Sequence, residues 1–277
     1  MDTSTIEFMA KELGFCDVGF CSPASFEIQR MQVMAQPMLS ERRQLSFDPA
    51  CSNTDAKSIA VLLWPYVQSD EPTSRSVFID NYYPASNAAY HAATELENRI
   101  RLSGHYARAN VSYPAKAAAV RAGLGIIGDH SLLIHPVYGT RVVVILLETD
   151  LPISDHDIAD QGECLHCGKC HRICPTGAIA QDGMSHPERC LRNFMMEGVI
   201  VPDEFRASMG RKMLGCDLCQ RVCPMQPERR KQNQGEAWRA DDFLTNDSAA
   251  FSRSVKHLAD IVGRNIARHN AFVRKWP

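Results

Sequence analysis

Apolar positions recur along the chain with two periods, and the alternation between them outlines an α/β protein. After a run of capping types, Ile6, Met9 and Leu13 fall on one helical face, predicting a short amphipathic helix over residues 4–13 that Gly14 ends. Phe15 to Cys21 reads as a strand, with Cys16 and Cys21 as small buried apolar residues. Residues 26–47, rich in Met, Gln and Arg, read as helical or irregular. Ser58 to Pro65 is an almost continuous apolar run, as suits a strand buried on both faces, and the polar stretch to Ser76 is a loop. A helix is expected from Asn87 to Leu102, with Tyr90, Ala93, Leu96 and Ile100 as its stripe, and another over Pro114 to Ala122, where alanines favour that state. Leu132 to Ile134 is strand-like, and Arg141 to Thr149 is the clearest strand. Further on, Glu188 to Met196 reads as a helix carrying Cys190, Arg229 to Gln234 as a solvated basic loop, and Val255 to Val273 as a last helix with Leu258, Ile261, Val262 and Ile266 on one face. No repeat of 20–50 residues is visible.

A shift in composition near residue 155, in the acidic connector Asp150 to Gly162, divides the chain. The expected domains are an α/β sheet domain at 1–155, a cysteine-rich domain at 156–230 and a helical extension at 231–277. Hydrophobic residues make up 45% of the chain and charged residues 22%, as in soluble globular proteins. A formal net charge of -2 gives no general attraction to nucleic acid or membranes, and no apolar run has the length to span a bilayer. The N-terminus Met1 to Glu7 is acidic and polar, unlike a signal peptide, so a cytoplasmic location is expected.

The chemistry lies in eight of the eleven cysteines, between residues 164 and 224. Cys164, Cys167, Cys170 and Cys174, followed by Pro175, form the bacterial ferredoxin run, in which the fourth cysteine of a two-cluster protein ligates the other cluster. Cys216, Cys219 and Cys223, followed by Pro224, form a second run, and Cys190 stands alone between them. Applying the crossover, one [4Fe-4S] cluster takes Cys164, Cys167, Cys170 and Cys223, and the other takes Cys174, Cys190, Cys216 and Cys219. Disulfides would need an oxidising compartment, and zinc would need paired Cys or Cys/His blocks. His166 and His171 are not required to complete either set and read as neighbours of the ligands or surface residues.

Gly123, Gly125 and Gly128 match a dinucleotide-binding fingerprint, but that motif works between a strand and a helix N-terminus. Here a helix precedes it and a strand follows, so a dinucleotide is not expected. Glycine's freedom at positive φ can still bring this backbone close to another ligand.

The cysteine blocks, Cys190, the stretch Ala122 to Ile134, Tyr90-His91, Pro114 with Arg121, and Cys174 to Ile179 together resemble the epoxyqueuosine reductase family, which is similar in architecture to reductive dehalogenases. The resemblance is close over 114–224 and looser over 1–270. It implies a reductive dehalogenase-like α/β domain joined to a two-[4Fe-4S] ferredoxin-like domain. It further implies cobalamin as a second cofactor, an electron donor such as ferredoxin or flavodoxin, and reductive chemistry on a small molecule or on a corrinoid itself. Gly123, Gly125, Gly128, Tyr90 and His91 are then candidate cofactor-binding residues. The family's proton-donating aspartate lies about seven residues before the basic position held here by Lys116, where this chain has Ala109 and Asn110. Tyr113 and Lys116 are therefore the candidate catalytic residues, with Tyr90 and His91 as substitutes. The family continues into a longer region that helps hold tRNA, whereas this chain ends at Pro277. With no extended basic stripe, tRNA is not expected as a partner. Two other readings stand beside this one: a corrinoid-free electron-transfer protein that reduces a partner protein, and an epoxyqueuosine reductase with a relocated proton donor.

Overall fold

The computed structural model describes residues 1–34, 46–52, 55–71, 76–153, 161–180, 185–195, 201–226 and 238–239. The basic loop expected at Arg229 to Gln234 and the helix expected at Val255 to Val273 lie outside the described residues, as does most of the 231–277 extension. The chain divides into two compact units, one of Met1–Pro65 with Ala88–His166, the other of Tyr66–Asn87 with Cys167–Pro277. Among the described residues no helix is long and apolar enough to cross a membrane.

The first unit is built on a four-stranded sheet in the order Asp17–Cys21, Ser58–Pro65, Val142–Thr149, Ala107–Ala109. Every pairing in it is antiparallel. Ser58–Pro65 and Val142–Thr149 pair along their whole length, from Ser58 opposite Thr149 to Pro65 opposite Val142. Successive side chains of a strand point to opposite faces. Ile59, Val61 and Leu63 accordingly enter one core with Leu146, Phe26, Ala118, Ala119 and Ala122, while Ala60 and Leu62 are buried on the other face. The helix Ala115–Arg121 covers the first face, where its alanines let it lie close to the sheet. Both long strands thus lose their solvent on two sides, which is why they read as unbroken apolar runs.

The helix expected from residue 87 begins earlier and spans Tyr82–Leu102. The Asp80 carboxylate accepts the Tyr82 amide at 3.0 Å, and Pro84 falls in the first turn, where its missing N–H has no intrahelical partner to lose. Ala89, Ala93, Leu96 and Ile100 form its buried stripe, whereas Tyr90 is 51% exposed. Cys16 and Cys21 behave as buried thiols, each pushed up to about 12 mainly by desolvation.

In the second unit Ser76–Ile79, within a stretch whose start read as loop, pairs in parallel with Lys212–Leu214 and antiparallel with Trp238–Arg239. The single helix expected at 188–196 is replaced by two 3-10 turns, Pro187–Arg189 and Leu191–Met195, with Cys190 at the junction. Leu191, Phe194, Met195, Val201 and Met209 form a small separate core there, against which Phe205 and Cys216 pack.

Candidate iron–sulfur centre and its surroundings

Each cysteine run is folded by a glycine in the left-handed region followed by one short helix. Gly168 (φ 68) precedes Lys169–Ile173, and Gly215 (φ 83) precedes Cys216 and the helix Leu218–Arg221. Gly215 permits a close approach: a Cβ there would meet Asp80 Cβ at 2.5 Å. Past the first run, Gly177 (φ 62) closes a turn on Cys174 O, and the Cys174 sulfur accepts the Ala178 amide at 3.3 Å.

The structure brings Cys174, Cys190, Cys216 and Cys219 into one electrostatic neighbourhood. Desolvation raises the Cys190 thiol, and the nearby Cys174 adds to the rise. Cys216 is pushed up to about 11, first by burial and also by the charge of Cys190. Cys219 is raised well above the usual thiol range by burial, then by Cys216, Cys190, Cys174 and Cys170. None of these cysteines is in a disulfide. Buried thiols that oppose one another's ionisation need cations among them before they can become thiolates, and iron supplies that charge. The donor set therefore fits an iron–sulfur cluster.

The surrounding charges are specific. The buried Asp217 carboxylate, between Cys216 and Leu218, is bound by Arg221 Nε at 2.7 Å, and Arg221 also donates to Ser69 O and pairs with Glu71 at 2.9 Å. Arg192 lies beside Cys190 and Tyr83, where the neighbouring hydroxyl and thiol acids raise its already high pKa. At the first run, Cys170 is buried while Cys167 is exposed. In the first unit Asp129, Cys164 and His166 place their ligand atoms within 4.8 Å of one another, with His166 Nδ1 2.8 Å from Asp129 Oδ1. Sequence reasoning passed over Asp129, because no spacing rule links residues 37 positions apart.

Tyr113 is only 3% exposed, and its hydroxyl donates to Glu148 Oε1. Glu148, wholly buried on Val142–Thr149, also accepts from Tyr106 at 3.2 Å and lies 3.8 Å from Arg108 Nε. Tyr113 is thus committed to holding a buried carboxylate. Tyr113→Phe should lower stability by about 1–3 kcal/mol, the cost of removing a partner from a buried acceptor, with the iron content unchanged. Urea unfolding with iron analysis checks this. Lys116 is exposed, and its ammonium donates to Ser131 O. Tyr90 and His91 are both exposed on one helix, their rings edge to face at 5.7 Å.

The three glycines have structural tasks. Gly123 (φ 73) ends the helix Ala115–Arg121: its amide bonds Val120 O while the Leu124 amide reaches Ala119 O, a Schellman closure. A Cβ on Gly125 would sit 2.3 Å from Ile134 O, and one on Gly128 2.7 Å from Ile134 Cδ1. At Gly125 and Gly128 the chain's own atoms occupy the place a Cβ would take.

His130, 7% exposed, accepts the Leu132 amide at Nδ1, which puts the ring proton on Nε2. Desolvation chiefly, together with Lys116 and against Asp129, lowers its pKa to about 4. With the folded value below the unfolded one, the unfolded chain binds the proton first as the pH falls. Stability is therefore full above histidine's ordinary value of 6.5 and is lost between that value and about 4. Between pH 7.5 and 5.5 the loss from this group is about 1 kcal/mol, and urea midpoints of His130→Gln should lack it.

The fold and centre define a class first: a double-cluster iron–sulfur unit in one chain with an α/β sheet unit. Residues 163–226 match the family model of a 4Fe-4S double cluster binding domain. The chain is similar to the epoxyqueuosine reductase of Bacillus subtilis (strain 168), 36% identical over 110 residues, covering 40% of this chain and 28% of that protein. To the epoxyqueuosine reductase of Lactococcus garvieae (strain Lg2) it is 29% identical over 240 residues, covering 79% of this chain and 68% of that protein. In fold it resembles an epoxyqueuosine reductase solved with an epoxyqueuosine-modified tRNA stem loop, with a TM-score of 0.76, 23% identity, and coverage of 98% of this chain and 80% of that one. It also resembles a reductive dehalogenase whose structure suggests a mechanism for B12-dependent dehalogenation, with a TM-score of 0.57, 20% identity, and coverage of 96% and 35%. The chain is thus similar to epoxyqueuosine reductases, has a reductive dehalogenase-like fold and carries a double [4Fe-4S] domain.

Proposed function

We propose that the protein is a corrinoid-dependent iron–sulfur reductase, with two [4Fe-4S] clusters passing single electrons to a corrinoid and a substrate losing an oxygen or halogen substituent. The observation that carries this reading is the neighbourhood in which the half-buried Cys190, Cys216 and Cys219 meet Cys174, the first three raised by desolvation and by one another's charge or that of Cys174. It occurs in a fold shared with epoxyqueuosine reductases and with a dehalogenase linked to B12. In the first unit, Asn110 Oδ1 and His130 Nε2 are buried without hydrogen-bond partners, and Tyr90 and His91 are exposed aromatic faces. An orphaned acceptor, an orphaned donor and stacking surfaces suit a flat macrocycle with amide arms, so these residues would hold it. A corrinoid, when bound, supplies a strongly reducing cobalt centre.

The cysteine thiolates hold the irons, and Arg221 neutralises Asp217 so that no uncompensated carboxylate opposes an incoming electron. Replacing a halogen by hydrogen consumes two electrons and one proton and releases halide. Replacing a hydroxyl or opening an epoxide also takes two electrons, with protons delivered to carbon or oxygen. With Tyr113 bound to Glu148, the proton falls to an exposed acid, for which Lys116, Tyr90 and His91 stand as candidates.

The solved neighbour held with a tRNA stem loop favours a second reading, an epoxyqueuosine reductase with its proton donor moved. Net charge does not weigh strongly against tRNA, since a stem loop meets a local surface rather than the whole chain. The deciding experiment is anaerobic cluster rebuilding, incubation with cobalamin, and metal analysis after gel filtration. About one cobalt per eight irons is expected. Iron without cobalt would overturn the corrinoid reading in favour of an electron-transfer protein. Turnover of an epoxyqueuosine-modified stem loop by the cobalt-loaded protein would select the second.

A further inference from the structure

The two cysteine runs share a pattern and differ in what surrounds them. In the second run the cation is consumed: Arg221 is bound to Asp217, Glu71 and Ser69 O, and none of its cysteines is exposed. In the first run the part from Cys167 to Pro175 reaches the surface, although Cys170 within it is buried. Cys167, Lys169, Arg172, Ile173 and Pro175 are all exposed, Ile173 by 38%. This stretch contains Lys169, His171 and Arg172 and no Asp or Glu. Among the described residues neither Lys169 nor Arg172 has an acidic partner. Arg172 instead lies 3.0 Å from the Cβ position of Gly168 and donates to Cys167 O at 3.3 Å, so its guanidinium is held beside the backbone of an exposed cluster cysteine.

We propose that the face formed by Cys167, Lys169, Arg172, Ile173 and Pro175 is the docking surface for an acidic, low-potential one-electron carrier protein. This deepens the two-cluster reading and rests on it. Two cations without an acidic partner among the described residues attract an acidic protein from a distance, and an apolar centre at Ile173 and Pro175 excludes water once it has docked. Electron transfer weakens steeply with separation, so entry belongs where a ligand cysteine reaches the surface. Charge complementarity favours an acidic protein over a nucleic acid, because two cations flanking apolar side chains are too few for a phosphate track.

The test is anaerobic stopped-flow reduction of the cluster-loaded protein by reduced flavodoxin, with dithionite as a small reductant needing no dock. For the native chain the second-order rate with flavodoxin should fall as salt is raised. The double variant Lys169→Gln/Arg172→Gln should be slower by about tenfold at low salt and show little salt dependence. Its dithionite rate and iron content should match the native chain. A native rate indifferent to salt, or equal flavodoxin rates in native and variant proteins, would overturn the proposal. An iron content near four in the native chain would instead fail the two-cluster reading.

Discussion

Exchanging Cys190 for alanine should leave the protein with one intact [4Fe-4S] cluster and about four irons less than the native chain, or with the damaged centre trapped as a three-iron form. Cys190 lies between two 3-10 turns, 16 residues past Cys174, and outside both runs. Its sulfur nevertheless shares a neighbourhood with Cys174, Cys216 and Cys219. A cubane needs four thiolates, and a second-run set lacking Cys190 offers three with the crossing Cys174. Cys167→Ala should damage the other cluster and spare this one. Iron analysis with electron paramagnetic resonance of the dithionite-reduced variants separates the cases, because each variant should retain a different reduced signal. Cys16→Ala and Cys21→Ala, which alter buried thiols of the first unit, should retain the native iron content. Loss of both signals in Cys190→Ala, or of neither, would refute the crossed allocation.

The elements that could be read from the chain are those whose environment is written in their own residues. Ser58–Pro65 and Val142–Thr149 are central strands covered on both sides, and their unbroken apolar runs announce it. The helix Ala115–Arg121 was legible in its alanines. Ser76–Ile79 was not, because its parallel partner Lys212–Leu214 lies more than 130 residues away and a four-residue strand carries little period of its own. The helix expected around Cys190 is broken into two turns by the extended backbone of Cys190, which local periodicity cannot register. The same division runs through the site. The double [4Fe-4S] domain was legible because covalent spacing dictates how sulfurs of a run can converge. The partner that Tyr113 holds could not be read from the chain, because Glu148 is hidden in the middle of a strand that reads as apolar. The glycine motif was recognised as out of context, but its actual task needed the position of Ile134 to be seen.

That task leads to the second large effect. Gly125→Ala should destabilise the first unit by about 3–5 kcal/mol, far beyond the usual cost of a surface substitution. Gly125 has φ +142, which L side chains rarely adopt, and its missing Cβ faces Ile134 O at 2.3 Å and the His135 Cα at 3.1 Å. Both obstacles are backbone and cannot turn aside as a flexible side chain would. The strands Ile126–Ile127 and Leu133–Ile134 pair antiparallel immediately beyond, so relief would require parting this hairpin. Leu133 belongs to the same core as Leu124 and Ala122, which ties the hairpin to the main sheet. Gly128→Ala meets mainly the tip of Ile134 and the ring of His130, which can shift, and should cost clearly less. Comparing the urea midpoints of the two variants tests the argument, since an open ligand cradle at this turn would tolerate an added methyl group at both positions. A Gly125→Ala midpoint equal to the native one would refute the close approach of Ile134 to this turn.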